Sequence, residues 1–350
     1  MIKKVDYLIV GQGLAGSFFA FQLIEQGKSF VVIDMGIENS ASYVAAGLIN
    51  PLVLKRLTPS WRVEDFLKYN DRFYEKIGAF LGKKYHYPLE LKKLISSKDE
   101  IDFWKQRKNV KEVKKYIDGN PVKAKEPFLS QKIKAIGNVY HVSWIAISEL
   151  LKDFRIYLSN NNLLIEEQFE YNQLNGSEQY KATTFNKIIF CEGAKAIDNP
   201  FFQEVVFSLN KGQTFTIKSQ ELNTSAILKK QAFILPTLEE NQFKVGATFS
   251  WKWEDEGIET EKTTLLKEQI EEMIAVDYSI KFEEAGIRPS AKDRRPIVGK
   301  SMQHENFYIF NGMGSRGCMI SPLLTLELFD FIENKKTLSK EINVSRFKPN

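Results

Sequence analysis

Cysteine and histidine are scarce in this chain. Its 350 residues include two cysteines, Cys191 and Cys318, and three histidines, His86, His141 and His304. With neither cysteine in a CxxC pair, a disulfide framework is excluded and a reducing, cytoplasmic setting is expected. Cys318 reads as a small buried residue. The scattered histidines have no metal-ligand spacing, so no metal is expected. No Ser–His–Asp or Cys–His constellation can be argued, and only His141, which precedes a helical stretch, stays as an outlying candidate. No apolar run reaches the roughly eighteen residues of a membrane span. The opening Met1-Ile2-Lys3-Lys4-Val5-Asp6 enters a strand pattern at once, without the apolar stretch or cleavage site of a signal peptide. Repeats and low-complexity segments are also missing. Hydrophobic residues make up 43% and aromatics 13%, which argues against disorder and for a large core with more than one domain. A net charge of +5 alone says little about partners.

Val5 to Val10 reads as a buried strand, followed by a glycine turn, a helix from Ala15 to Gln26 and a second buried strand from Phe30 to Ile33. That spacing is a parallel βαβ unit. Helices are predicted over Val63 to Phe80, Val142 to Phe154, Glu261 to Ala275 and Pro322 to Phe331. Asn162 to Cys191 reads as strands with a hairpin turn at Asn175-Gly176. Gly212 to Lys218, Ala232 to Pro236, Phe243 to Thr248 and Phe307 to Phe310 are further strands. The lysine-rich segment from Lys83 to Lys134 breaks the Rossmann rhythm.

Gly11-Gln12-Gly13-Leu14-Ala15-Gly16 sits between an apolar strand and a helix, with Asp34 at the end of the next strand. Gly11 allows the tight turn, Gly13 lets backbone approach a pyrophosphate, and Gly16 allows close helix–strand packing. The helix start, with Leu14 and Ala15, offers amides and partial positive charge to phosphates. The Asp34 carboxylate can accept ribose hydroxyls. This constellation does not choose between NAD and FAD. Near the other end, Gly312-Met313-Gly314-Ser315-Arg316-Gly317 lies between an apolar strand and a helix. A glycine-rich turn beside a helix start suits a planar ring that becomes negatively charged on reduction, as an isoalloxazine does and a nicotinamide does not.

With these motifs in view, the chain resembles the D-amino-acid oxidase superfamily of FAD-dependent oxidoreductases. That group includes glycine oxidase, sarcosine oxidase and the oxidase half of a bacterial tRNA wobble-uridine modifying enzyme. The resemblance runs over almost the whole chain. It rests on the GxGxxG string, Ala45-Ala46-Gly47-Leu48-Ile49-Asn50-Pro51, Phe190-Cys191-Glu192-Gly193-Ala194 and Val245-Gly246-Ala247-Thr248. Gly286-Ile287-Arg288-Pro289, Asp293 to Gly299 and the turn from Gly312 to Gly317 complete it. It implies a discontinuous α/β, Rossmann-like FAD domain (residues 1–80, 138–205 and 286–350). A second, α+β substrate domain with a largely antiparallel sheet would take residues 81–137 and 206–285. It places Ala45, Ala46, Gly47 and Leu48 against the flavin and Gly193 and Ala194 near the adenosine. Gly312, Gly314, Ser315, Arg316 and Gly317 then lie beside the ring. Ser290, Ala291 and Lys292 follow Arg288-Pro289 where some relatives carry a flavin-tethering cysteine, so non-covalent FAD is implied.

The resemblance also makes Arg288 the holder of a substrate carboxylate, a task that suits a planar guanidinium fork. Arg316 is a second candidate, for contact with substrate or with the flavin carbonyls. The implied chemistry is hydride transfer from a carbon next to nitrogen to flavin N5, hydrolysis of the imine and reoxidation by dioxygen. No protein base on the carbon is needed. Substrates uniting a secondary amine and a carboxylate fit, whether sarcosine-like small molecules or the carboxymethylaminomethyl group of wobble uridine in tRNA. The segment from Lys83 to Lys134 has fifteen Lys and Arg against seven Asp and Glu, which would suit phosphate contacts, although such a run is usually a solvated lysine-rich helix. A nicotinamide dehydrogenase, a flavin monooxygenase and a non-catalytic FAD-binding protein are the readings from other classes.

Overall fold

The computed structural model describes residues 3–36, 40–117 and 119–347. Strand β1 (Lys3–Val10), helix α1 (Leu14–Glu25) and strand β2 (Phe30–Ile33) form the expected parallel βαβ unit. β1 is apolar almost throughout because both its faces are covered. Tyr7 and Ile9 enter one hydrophobic cluster with Phe18 and Phe19 of α1; Val5, Leu8 and Val10 enter another with Phe185 and Ile309. The parallel part of this sheet runs Leu164–Ile165, β2, β1, Thr183–Phe190 and Phe307–Asn311. Short antiparallel strands extend it, including the hairpin of Leu174–Asn175 with Gln179–Tyr180.

A second eight-stranded sheet takes its strands from 91–139 and 210–288. It is antiparallel throughout except where Ile227–Lys229 pairs parallel with Leu91–Ile95. Its two faces pack differently. Phe215, Ile217, Ile234 and Val245 pack with Leu266 and Ile270 of the helix Thr260–Glu271. The alternate side chains point the other way. On that side Ile227, Phe233 and Leu235 join the cluster that contains α1. Asn210, Gly212 and Thr214 share this second face, because Thr214 is in register with Gly246 and Gly246 with Phe233. Arg288, paired with Asn210, is thereby aimed toward the nucleotide-binding sheet.

Two expected elements are corrected. The helix foreseen over Val142 to Phe154 is a strand, Ser143–Ile145, followed by a helix, Ile147–Asn160. Ser143–Ile145 is held as strand between Leu48–Ile49 and His86–Pro88, partners remote in sequence. The last helix starts earlier than Pro322 and spans Gly317–Glu333. Pro322 has no N–H to give the carbonyl four residues back. That carbonyl, of Cys318, instead accepts the Tyr74 hydroxyl at 2.6 Å. Among the described residues no helix is long and apolar enough to cross a membrane.

Candidate active site

The glycine loop after β1 is shaped by backbone contact. A Cβ on Gly16 would stand 1.9 Å from the Gly11 carbonyl oxygen, so only glycine lets the helix start fold back on the strand end. The Gly11 amide donates to Ile33 O at 2.9 Å. The Gln12 amide donates to Asp34 Oδ2 at 2.8 Å, and the Leu14 amide to Ser42 Oγ at 3.0 Å. No side chain caps α1 at Gly13. With the Leu14 amide engaged by Ser42, the dipole and the next amides of the first turn are left to an anion.

Three further contacts gather the remaining motifs around this loop. Asn311 Nδ2 donates to Gly193 O at 2.9 Å, tying the end of the Phe307–Asn311 strand to the end of Thr183–Phe190. The Gly314 amide donates to Pro289 O at 2.9 Å, and Met313 bridges Ser290, so Arg288 stands beside the C-terminal turn. Arg316 donates to Asn50 O at 3.1 Å and to Ser60 Oγ, binding the same turn to the stretch after Ala45, Ala46, Gly47 and Leu48. The helix Gly317–Glu333 also lacks a side-chain cap, and Gly317 abuts Leu14, so two open helix N-termini adjoin. Ser315 is exposed on the turn, while Gly193 and Ala194 are half-buried. Paired positive helix ends, backbone lacking side chains and an open space at Gly193 fit a dinucleotide with a planar ring.

Arg288 and Arg316 differ. Arg316 spends its guanidinium on neighbouring protein groups: besides Asn50 O and the Ser60 hydroxyl it reaches Leu52 O at 3.5 Å. Burial lowers its pKa, and its contacts make it the strut of the turn. Arg288 Nη1 donates to Asn210 Oδ1 at 2.9 Å and Thr248 O at 3.3 Å. Its guanidinium lies between the Gly212 backbone and the Phe249 ring, 4.8 Å from the ring centroid. Among the described residues it has no carboxylate partner. Burial pushes its pKa down to about 10, which still leaves it charged at neutral pH. A half-buried cation without a counter-ion favours an anionic ligand.

Asp34 is placed at the loop as expected, but its carboxylate is already engaged. Besides Gln12 and the Gly36 amide, it accepts Arg155 Nη1 at 2.8 Å. A carboxylate has about four acceptor positions, so room remains for a hydroxyl. Sequence reasoning missed Arg155, and also Gln12, whose buried amide side chain meets Ser17, Leu151 O, Tyr43 and Arg155. Asn311 and Glu192 were missed too. Burial, opposed by hydrogen bonds from Tyr171 and Asn199, pushes the Glu192 carboxyl up to about 7. His141 lies exposed, edge-on to Tyr116, and none of its contacts reaches the residues gathered here. Cys318 is buried, which raises its thiol to about 12. No group of three or more His, Cys, Asp or Glu able to hold a metal occurs among the described residues.

A Rossmann-type sheet, a second, largely antiparallel sheet and adjoining helix N-termini make the frame of a two-sheet dinucleotide-binding protein. The chain belongs to the DAO family of FAD-dependent oxidoreductases, whose model matches residues 6–328. It is 20% identical to glycine oxidase of Bacillus subtilis, over 96% of this chain and 95% of that protein. Among solved structures, glycine oxidase from Geobacillus kaustophilus superposes with a TM-score of 0.79 at 17% identity, covering 99% of this chain and 98% of that one. Iminodiacetate oxidase from a Chelativorans species gives 0.78 at 18%, covering 98% of each chain. At these identities the structural likeness shows the fold.

Proposed function

We propose that this chain oxidises the C–N bond of a small N-substituted glycine or amino acid, with Arg288 holding the carboxylate. The observation that carries the reading is the Arg288 guanidinium, fixed by Asn210 and Thr248 on one nitrogen and lacking any carboxylate partner among the described residues. Glycine oxidases share the fold, and iminodiacetate, which a further relative oxidises, is itself an N-substituted glycine. FAD, when bound, supplies a two-electron acceptor for a hydride from the carbon next to nitrogen. The protein's part is to bind and orient. Arg288 fixes the carboxylate, and thereby the neighbouring carbon, while the turn from Gly312 to Gly317 and the stretch from Ala45 to Leu48 flank the cofactor. The amine reacts as its free base, its lone pair forming the C=N bond as the hydride leaves. Water then hydrolyses the imine to an oxo-acid and the released nitrogen (an amine from an N-substituted glycine, ammonia from a primary amino acid), and dioxygen takes up the two electrons as peroxide.

Arg288→Ala should cut kcat/KM for a carboxylated amine by roughly 10–200-fold, through the loss of a charge-assisted pair worth about 1.5–3 kcal/mol. Arg288→Lys should recover part of it, because a point charge replaces the fork. Steady-state peroxide release with sarcosine and glycine measures both. Unaltered turnover in Arg288→Ala would sink the assignment.

One observation favours a larger carrier of the same group. Lys98, Lys111, Lys114, Lys123 and Lys125 form no ion pair among the described residues, which supports contact with a polyanion such as tRNA bearing carboxymethylaminomethyl-uridine. Against it, Lys83, Lys92, Lys93, Lys105, Lys115 and Lys132 are each within ion-pair distance of carboxylates. The small substrate is therefore the preferred reading. Salt-independent affinity for tRNA would remove the larger one.

A further inference from the structure

Most aromatic side chains of this protein are buried, yet Phe249, which lies against Arg288, and Trp251, which lies against Phe249, are not. Phe249 is 51% and Trp251 65% exposed. Their rings are nearly parallel, with centroids 6.4 Å apart and planes inclined by 25°. Phe249 also covers one face of the Arg288 guanidinium. Carboxylate anchor and aromatic surface are thus continuous, linked by Thr248, whose carbonyl accepts Arg288 Nη1.

The segment that carries this pair, after the strand Gln242–Gly246, is held in place. Ser250, between the two aromatics, exchanges backbone hydrogen bonds with Lys211, each at 2.9 Å. The Lys211 side chain, 2% exposed, reaches Glu259 at 2.9 Å and donates to Asp255 O at 2.7 Å, pinning the loop that follows. The rings are therefore presented on an anchored backbone, which keeps the ordering cost of a ligand low. Exposed, roughly parallel aromatics beside a fixed cation match a ligand with a carboxylate at one end and a flat ring at the other.

We propose that Phe249 and Trp251 form a stacking platform for the substituent on the substrate nitrogen, so that this enzyme prefers an N-substituted glycine whose substituent bears a planar aromatic ring. The proposal rests on the reading of Arg288 as the carboxylate holder. The ring lies outside the reacting C–N bond and contributes to selection of substrate, with Arg288 as the common anchor for all carboxylated ligands. Trp251 is then a specificity-determining residue.

The test uses the FAD-loaded full chain and two amides that cannot be oxidised as amines, N-benzoylglycine and N-acetylglycine, with affinities measured by calorimetry. The benzoyl ligand should bind roughly tenfold or more tighter than the acetyl one. Trp251→Ala should collapse that ratio toward one, and Trp251→Phe should restore most of it. Equal affinities in the wild type, or a ratio unmoved in Trp251→Ala, would overturn the platform. Failure of the underlying reading looks different. There, Arg288→Ala leaves the affinity for both amides unchanged, whatever Trp251 does. With amine substrates, kcat/KM for N-benzylglycine over sarcosine should fall in Trp251→Ala in the same proportion.

Discussion

If Arg288 holds the substrate carboxylate as proposed, a residue on the neighbouring strand sets where its guanidinium stands. A Cβ built on Gly212 would lie 1.8 Å from Arg288 Nη2 and 2.1 Å from its Cζ. Gly212→Ala must therefore move the side chain off the strand, breaking its alignment with Asn210 and Phe249. The fold should tolerate this, because the displaced atoms are the far end of a flexible side chain. Misplacement by about 1 Å costs on the order of 10²-fold in a positioned reaction. We expect KM for carboxylated amines to rise steeply with little change in unfolding midpoint; unchanged kinetics would show that the fork binds elsewhere. Arg288 was legible in the sequence because its string carries it, whereas Gly212 was not, since its role exists only through the register Asn210↔Arg288 and Gly212↔Gly286. Arg155 was hidden for the same reason: it reaches Asp34 from a helix more than a hundred residues away. Arg316 was legible as part of the turn, but its partners, two main-chain carbonyls and a serine hydroxyl more than 250 residues away, leave no trace in a sequence.

The elements that hold the cofactor side were legible to different degrees, and periodicity explains which. β1, α1 and β2 follow from a continuous apolar run, a glycine loop and a second run, and they form where expected. Ser143–Ile145 could not be found this way. Three residues carry no period, and the helix behind them extends its pattern backward over them. Its role appears only in the pairing with Leu48–Ile49, where Gly47 is the critical point. Gly47 has φ +71°, and a Cβ there would lie 1.9 Å from the Ile145 carbonyl oxygen. Gly47→Ala adds a clash with rigid backbone to a left-handed conformation. It should destabilise the protein by more than about 1 kcal/mol and loosen the stretch from Ala45 to Leu48. Gly82, which ends the helix Val63–Leu81 away from the cofactor motifs and has φ +73° with nothing within 4 Å of where a Cβ would stand, is the control. Gly82→Ala should cost only the left-handed penalty of about 1–2 kcal/mol. Retention of FAD on gel filtration separates the two, and equal loss in both would contradict the backbone argument.

Across the whole molecule, two carboxyls give the stability opposite dependences on pH. Glu333, at the end of the last helix, accepts Tyr7 Oη at 2.5 Å, Lys28 Nζ at 2.6 Å and Lys187 Nζ at 3.0 Å. It joins that helix to β1, to the turn after α1 and to the Thr183–Phe190 strand. Burial would raise its pKa, but these three donors outweigh burial and hold it down at about 2. Its folded pKa is depressed, so its contribution is present above the ordinary value of 4.5 and is lost as pH falls toward 2. Glu192 has the reverse sign. Burial raises it to about 7, so its contribution is fullest below 4.5 and is lost as pH rises through 7. Thermal unfolding of the FAD-loaded protein across pH 2 to 8 therefore has two separable parts, one below 4.5 and one between 4.5 and 7. Glu333→Gln should reduce stability at neutral pH by roughly 1–3 kcal/mol, seen as a lower midpoint, with the gap to wild type closing in acid. Glu192→Gln should leave acid stability alone and flatten the decline toward pH 7 and above. If Glu192→Gln destabilises most at high pH, the carboxylate is ionised and paired there, and the buried, protonated state is wrong. Because Glu192 precedes Gly193, whose carbonyl accepts Asn311 Nδ2, the same titration should appear as weaker FAD retention above pH 7, absent in Glu192→Gln.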